Sequence, residues 1–219
     1  MNEAQARAEI CRVGKSLFDR GYVHATAGNI SMRLDDGFLI TPTDACLGFL
    51  DPDRLARVDA HGRHVSGDRP SKTLALHSCI LTEAVNHDAG TRCVLHTHST
   101  HCVALSLASQ QAELLAPVTP YFVMKVGHVP HVPYHLPGAP EAADEVGQLV
   151  RCYGDAGTPT RAVMLARLGP VVWHESPAAA MAVLEELEET ARLTLLSGKP
   201  EPLDAASIEA LRATFGARW

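Results

Sequence analysis

The chain of 219 residues lacks the features that are typical of nucleic-acid-binding and membrane proteins. Aromatic residues make up only 5% of it, so the stacked side chains that bind single-stranded nucleic acid are scarce. Its net charge of −6 has the wrong sign for broad binding to phosphate backbones. No apolar run reaches the length of a membrane-spanning helix, and the first residues do not have the pattern of a signal peptide. We therefore expect neither a nucleic-acid partner nor a membrane partner.

The six cysteines include no CxxC pair, the spacing that is typical of redox and zinc sites. Several lie in apolar runs, where a thiol behaves as a small hydrophobic side chain. Thiols that stay reduced are typical of the cytoplasm, which is the location we expect. No linker rich in Pro, Gly or Ser divides the chain, so residues 1–219 are predicted to form one domain.

Local patterns predict that helices and strands alternate along the chain. Two helices are marked by their apolar periodicity and their ends: residues 3–20, closed by Gly21, and Pro177 to about Leu196, capped by Ser176 and closed by Gly198. Further helices are predicted over 71–83 and about 99–109, strands over 38–41 and 93–96, a loop over 86–92, one or two strands within 118–134, and a hairpin of 162–166 and 171–173 that turns at Gly169-Pro170. Such a mixture favours an α/β or α+β layered domain.

Twelve histidines is a high number, and most of them lie between residues 77 and 135. His96 ends the apolar run 93–96, and His98 follows two residues later. Residues two apart in a strand point to one face, so both imidazoles could bind one divalent cation. Two polar side chains in a strand-to-helix loop would explain the same pattern. The pair therefore indicates a metal site without establishing one.

Three segments have the composition of an anion site. Gly28 and Asn29 lie in a run of small and hydroxyl residues, where a glycine lets backbone N–H groups approach an anion closely. Thr43 belongs to a second hydroxyl-rich segment, 41–44. Ser71 and Lys72 stand at the predicted start of a helix, which attracts negative charge. Each segment alone is more often an ordinary turn or cap.

In their order along the chain, these segments resemble the class II aldolase/adducin-head family. The motifs are Gly28-Asn29-Ile30-Ser31, Ile40-Thr41-Pro42-Thr43, Pro70-Ser71-Lys72 with His77, and the run 96–101. Leu47-Gly48, Thr119-Pro120-Tyr121 and the acidic run 184–191 look most like the 3-oxo-tetronate 4-phosphate decarboxylase branch of the family. The resemblance covers residues 5 to 198. It implies a three-layer α/β/α domain with a central, largely antiparallel sheet.

The resemblance also implies a homotetramer, a site with Zn²⁺ or another divalent metal such as Mn²⁺, and a small phosphorylated sugar acid or ketose as substrate. His96 and His98 fall at the positions of the first two metal ligands. The phosphate-binding positions fall on Gly28, Asn29, Thr43, Ser71 and Lys72. Tyr134 resembles a tyrosine that lies near the reacting carbons. His101 is expected to have a structural role.

Two positions depart from the family pattern. Thr73 stands where the family has its acid/base glutamate, and Leu168 stands where it has its third metal histidine. Two histidines are fewer protein ligands than a catalytic zinc site usually has. His135, beside Tyr134, is our first candidate for a replacement ligand, and His77 and His174 are weaker ones.

For the decarboxylase branch, the resemblance implies that a 3-oxo-tetronate 4-phosphate is converted to dihydroxyacetone phosphate and CO₂. Loss of a carboxylate needs no base to remove a C–H proton, so Thr73 harms this reaction less than it would harm an aldol reaction. Two alternatives stay open. One is an aldolase or epimerase acting on another sugar phosphate, and the other is a catalytically decayed, adducin-like assembly module.

Overall fold

The structure is a computed structural model that describes residues 1–108 and 111–219. Within these residues the strands are β1 Asn29–Leu34, β2 Gly37–Ile40, β3 Ala56–Asp59, β4 His64–Ser66, β5 Cys93–His96, β6 His131–Val132, β7 Ala162–Leu165 and β8 Gly169–His174. They form one eight-stranded sheet in the order β4-β3-β2-β1-β5-β8-β7-β6. Neighbouring strands are antiparallel except β6 and β7, which are parallel.

Helices cover both faces of this sheet. They are α1 Glu3–Asp19, α2 Leu74–Glu83, α3 Thr100–Ala108, α4 Pro140–Asp155, α5 Pro177–Ser197 and α6 Ala205–Phe215. One hydrophobic core joins α1, α3 and α5 to the sheet, and a second core joins α2 and α4 to its other face. No helix in the described part of the chain is long and apolar enough to span a membrane.

Strand β5 shows how the two cores divide the sheet. Cys93 and Leu95 lie in the core beneath α1 and α5, whereas Val94 lies in the core beneath α2 and α4. Side chains alternate between the faces of a strand, so His96 points to the same side as Val94. The predicted three-layer architecture with a largely antiparallel central sheet is confirmed.

The two longest helices agree with their sequence signals. Helix α1 ends at Asp19, and Gly21 adopts a φ of +76° just beyond it. Helix α5 begins at Pro177, where the Ser176 side chain accepts a hydrogen bond from the Ala179 N–H at 3.2 Å. These boundaries were predictable because caps and glycine stops are local features.

Two predictions near the site were wrong in their boundaries. The helix expected over 71–83 begins only at Leu74, because the Ser71 hydroxyl bonds the Thr73 N–H in a preceding turn. The hairpin does not turn at Gly169-Pro170, since both residues already belong to β8. The chain turns at Ala166–Leu168 instead, where Arg167 adopts a φ of +66°.

Other segments also differ from expectation. Residues 118–134 contain a π-helix, Phe122–Val126, and only the two-residue strand β6. The loop expected over 86–92 is preceded by a 3₁₀ turn, Ala84–Asn86, which includes its first residue. Helix α3, Thr100–Ala108, agrees with the helix predicted over about 99–109. The expected last residue of that helix, Ser109, lies outside the described residues.

Candidate active site

A cavity of about 240 Å³ opens beside the ends of β1, β5 and α2. Every phosphate-binding residue predicted from the sequence lines it, and we call this set the phosphate wall: Gly28, Asn29, Thr43, Ser71 and Lys72. The same cavity is also lined by His96, His98 and Leu168, which we call the histidine wall. The structure therefore brings the predicted anion-binding and metal-binding positions to one site.

Backbone hydrogen bonds join the three segments of the phosphate wall. The Thr41 N–H donates to the Ile30 carbonyl at 2.9 Å, and the Ile30 N–H donates to the Thr41 hydroxyl at 3.2 Å. The Thr43 N–H in turn donates to the Arg69 carbonyl at 2.9 Å. Segments that are far apart in sequence are thus paired side by side, as in a small extension of the sheet.

Gly28 lies where the two walls meet. Its φ is +87°, a conformation that side chains rarely adopt. A Cβ atom on Gly28 would come within 2.9 Å of both the His96 carbonyl oxygen and a methyl group of Val23. Only a residue without a side chain lets the phosphate wall pack directly on the backbone of β5.

Hydroxyl and ammonium groups complete the polar surface of the phosphate wall. The Ser71 and Thr73 hydroxyls lie 3.0 Å apart and share a hydrogen bond. The Lys72 ammonium lies 4.0 Å from the Asp44 carboxylate, and both side chains are well exposed. A contact at this distance in water is weak, so Lys72 can turn toward an anion in the cavity.

A buried hydrogen-bond network holds the side chain of Asn29. His77, on α2, is fully buried, and its Nε2 atom lies 2.6 Å from the Asn29 Oδ1 atom. Its Nδ1 atom lies 2.7 Å from the Ser31 hydroxyl. Burial, with a further contribution from His96, lowers the pKa of His77 to about 3, so the ring is neutral. His77 stood in the sequence motif, but nothing local indicated that it contacts Asn29.

His96 has one ring nitrogen committed and one available. Its Nδ1–H donates to the Pro170 carbonyl at 2.8 Å, which leaves the Nε2 lone pair free. Burial lowers the pKa of His96 to about 4, and His98 adds to this effect. A neutral imidazole with a fixed tautomer is the form that binds a metal ion.

His98 lies close enough to His96 to share a ligand. Their ring centroids are 4.9 Å apart, and two imidazoles on one tetrahedral Zn²⁺ would be separated by about 5 Å. The ring of His24 lies next to His98, with a centroid separation of 6.4 Å. Burial lowers the pKa of His98, and His24 lowers it further. The spacing and burial of the pair, together with the tautomer of His96, fit a divalent cation.

The structure gives His135 another partner. His135 lines the cavity, but its Nε2 atom lies 2.8 Å from the Glu145 carboxylate. Both ring nitrogens of His77 are engaged, and His174 lines a different pocket. In the described residues, no three His, Cys, Asp or Glu side chains are grouped so that they could hold a metal ion. Metal-binding histidines often donate their other ring N–H to a carboxylate, so the bond to Glu145 leaves His135 as the third ligand a prediction.

The two remaining predicted positions differ in placement. Thr73 lines the cavity, as expected for a residue at the acid/base position. The Tyr134 side chain is 53% exposed, and Tyr134 does not belong to the described lining of the cavity. Leu168 presents an apolar side chain where the family pattern has a nitrogen ligand.

Glu188 holds the start of α3, the helix that follows the histidine wall in the chain. This buried carboxylate on α5 accepts the backbone N–H groups of His101 at 2.9 Å and Cys102 at 3.0 Å, at the start of α3. It also bonds the His101 ring at 2.8 Å, which confirms the structural role expected for that histidine. Burial acts to raise the pKa of Glu188, but these hydrogen bonds outweigh it and lower the pKa. A negative charge at a helix N-terminus fixes α3 directly after His98.

Comparisons with known proteins identify relatives of the chain. The family model "Class II Aldolase and Adducin N-terminal domain" matches residues 8–195. A 3-oxo-tetronate 4-phosphate decarboxylase of Cupriavidus necator is 51% identical over 99% of both chains. An L-fuculose phosphate aldolase of Methanocaldococcus jannaschii is 30% identical over 87% of this chain and 96% of its own.

A crystal structure extends these comparisons to the fold. YgbL of Escherichia coli superimposes with a TM-score of 0.86 at 39% identity, over 96% of this chain and 99% of its own. The order of the motifs, their meeting at one cavity and these similarities lead to one conclusion. The chain belongs to the class II aldolase and adducin family.

Proposed function

We infer that the chain is a 3-oxo-tetronate 4-phosphate decarboxylase. The observation that carries this function is the single cavity whose two walls are an anion cradle and a pair of neutral histidines. The 51% identity over nearly the whole length of a decarboxylase supports the same substrate class. The family is generally metal-dependent, and a divalent metal such as Zn²⁺ or Mn²⁺ belongs to the proposal.

The reaction follows from the structure of the substrate. The compound carries a carboxylate on C1, a hydroxyl on C2, a carbonyl on C3 and a phosphate on C4. When the C1–C2 bond breaks, CO₂ leaves and its electron pair moves through C2 to the C3 oxygen. The resulting enediolate takes a proton on C2, which gives dihydroxyacetone phosphate. No base has to remove a C–H proton, so the reaction tolerates Thr73.

The residues of the phosphate wall would bind the C4 phosphate. Backbone N–H groups at Gly28, the hydroxyls of Thr43 and Ser71, and the Lys72 ammonium are all hydrogen-bond donors on one surface. Anchoring the phosphate there would place C3 and C2 toward the histidine wall. Binding of this remote group aligns the bond that breaks and so lowers the entropic part of the barrier.

His96 and His98 would hold the divalent cation. When bound, the cation would supply positive charge that stabilises the negative charge developing on the C3 oxygen. The Pro170 carbonyl would keep the His96 Nε2 lone pair aimed at the cavity throughout the reaction. Because Leu168 contributes no ligand, the remaining coordination positions would be left to oxygen atoms of substrate or water.

The final proton would come from water or a hydroxyl near C2. Thr73 lines the cavity and can relay a proton through the hydroxyl of Ser71 at 3.0 Å. Tyr134, the other predicted catalytic residue, would have to reorient to reach the cavity, because its ring points largely to solvent. The homotetramer and the cytoplasmic location stay predictions from the resemblance and the free thiols.

Product analysis tests the proposed reaction. Purified protein supplied with Mn²⁺ or Zn²⁺ should release CO₂ and dihydroxyacetone phosphate from a 3-oxo-tetronate 4-phosphate. Both products are measured against a matched sample without protein. An aldehyde product without CO₂ would instead establish aldol cleavage. Absence of any turnover under all metal conditions would favour the assembly module.

A further inference from the structure

We propose that His77 is a positioning residue that holds the Asn29 carboxamide in the orientation in which its NH₂ group faces the substrate phosphate. This inference rests on the proposed function, because it assumes that the phosphate lies at the phosphate wall. His77 itself does not belong to the described lining of the cavity, whereas Asn29 does. His77 therefore acts on the ligand indirectly, and its hydrogen bond to Asn29 connects it to the cavity.

The proton between His77 and Asn29 can be assigned from chemistry. The Asn29 Oδ1 atom is an amide oxygen and can only accept a hydrogen bond. The 2.6 Å contact therefore requires the proton to be on His77 Nε2. In a neutral imidazole the other nitrogen is then an acceptor, and the Ser31 hydroxyl donates to it at 2.7 Å.

The strand geometry makes this network rigid. Asn29 and Ser31 are two residues apart on β1, so both side chains point to the side where α2 packs. Ser31 is fully buried and Asn29 is nearly so. A buried polar group without a partner is costly, so neither side chain can easily leave the ring of His77.

The orientation matters because the two ends of a carboxamide have opposite polarity. With Oδ1 on His77, the Nδ2 hydrogens are left for the cavity, next to the backbone of Gly28. A flipped amide would present its oxygen to an anion, and the contact would become repulsive. His77 would then need its proton on Nδ1 instead. The tautomer of His77 and the sign of the Asn29 dipole are thus linked.

Substitutions of His77 test this link in binding experiments. His77→Phe removes the donor, and the Kd of inorganic phosphate, measured by calorimetry, should rise by about tenfold, the effect of one good hydrogen bond. His77→Gln can still donate to Asn29 Oδ1 and should restore most of the affinity. With substrate, KM should rise in His77→Phe while kcat stays within about threefold, since the group acts on the remote phosphate.

A matched control separates positioning from stability. Ile80 is fully buried on the same helix and belongs to the core beneath α2. Ile80→Ala should lower the melting temperature at least as much as His77→Phe and leave the phosphate Kd within about twofold, because a cavity in the core does not turn Asn29. Equal phosphate affinity in wild type and His77→Phe would overturn the proposal. So would a loss in Ile80→Ala as large as that in His77→Phe.

Asn29→Asp tests the amide directly. The carboxylate can still accept the His77 proton but presents oxygen in place of the NH₂ group, so phosphate binding should be lost almost completely. Wild-type affinity in this variant would show that the nitrogen does not face the anion.

The wild-type protein offers a test that needs no variant. A proton–nitrogen NMR correlation spectrum should show His77 as the neutral tautomer protonated on Nε2, whereas protonation on Nδ1 would overturn the proposal. Failure of the proposed function gives a different result. If phosphate binding depends on His77 but the wild type releases no CO₂, this inference stands and the proposed decarboxylase function is excluded.

Discussion

The two walls of the cavity differ in how completely they are built. The phosphate wall has all of its predicted residues, and backbone hydrogen bonds join its segments. The histidine wall has two imidazoles with a third position occupied by Leu168. Under the proposed function, the substrate explains this contrast, because binding of its phosphate depends entirely on the protein. A β-keto acid already contains the electron sink for its own decarboxylation, so the rest of the site can be simpler.

The largest expected effect comes from removing the histidine pair. His96→Ala with His98→Ala should abolish bound metal and lower kcat/KM by at least about a hundredfold, because the charge that stabilises the enediolate is lost. Elemental analysis after incubation with Zn²⁺ or Mn²⁺ measures the metal. His64→Ala serves as a control, since His64 lies on the exposed strand β4. Equal, near-zero metal in wild type and variant would show that this wall is no metal site and would favour the assembly module.

The phosphate wall should be most sensitive at Lys72. Lys72→Met removes a charge-assisted contact, so KM for the phosphorylated substrate should rise by about thirtyfold with a smaller change in kcat. Lys15→Met is a matched control, because Lys15 pairs with Asp19 on α1. Steady-state kinetics measure both variants. A KM for Lys72→Met equal to that of the wild type would place the anion elsewhere.

Placing a histidine at position 168 tests whether the histidine wall lacks a metal ligand. Leu168→His adds a nitrogen beside the existing pair, and we expect metal affinity to rise on the order of tenfold. His135→Ala should change it by less than about twofold, because no third His, Cys, Asp or Glu side chain in the described residues is grouped with His96 and His98. Competition titration against a chelating dye measures both affinities. The reverse result, with a large loss in His135→Ala and no gain in Leu168→His, would establish His135 as the replacement ligand.

The smallest effect concerns the support of the histidine wall. Glu188→Gln keeps one acceptor for the start of α3 but removes the charge, so the free energy of unfolding should fall by about 1 kcal/mol near pH 7. Because the folded-state pKa of Glu188 is lowered, its stabilisation is present above the unfolded pKa and disappears as the pH falls through the folded value. The difference between variant and wild type should therefore shrink on acidification below about pH 4.3. Urea denaturation at several pH values measures it, and a constant difference would exclude the charge as its cause.

The sequence was sufficient where the signals are local. The end of α1 before Gly21, the cap of α5 and the closeness of His96 to His98 were predicted correctly because neighbouring residues determine them. The turn at Arg167 was missed, since Gly169-Pro170 is the stronger turn signal and nothing local shows that both residues pair with β7. Strand β1 was missed as well, because its buried Asn29 and Ser31 look like loop residues.

Hydrogen bonds between side chains from distant segments could not be predicted from the sequence. Asn29 and Ser31 are explained only by His77, which is more than 45 residues away in the chain and lies on α2. The hydrogen bond between His135 and Glu145 on α4 likewise could not be identified before the fold was known. The motif residues were therefore predictable as a set, whereas the hydrogen-bond partners of each histidine ring depend on how the helices pack.

Gly28 determines how changes in the two walls would combine. Its missing side chain is what allows the phosphate wall to rest on the carbonyl of His96. Substitutions at sites that share no contact usually have additive energies, whereas those joined through a common backbone do not. Leu168 and Lys72 can thus be exchanged nearly independently of each other. At Gly28, by contrast, any side chain would displace both walls together, so the effect of a second substitution on either wall would depend on the first.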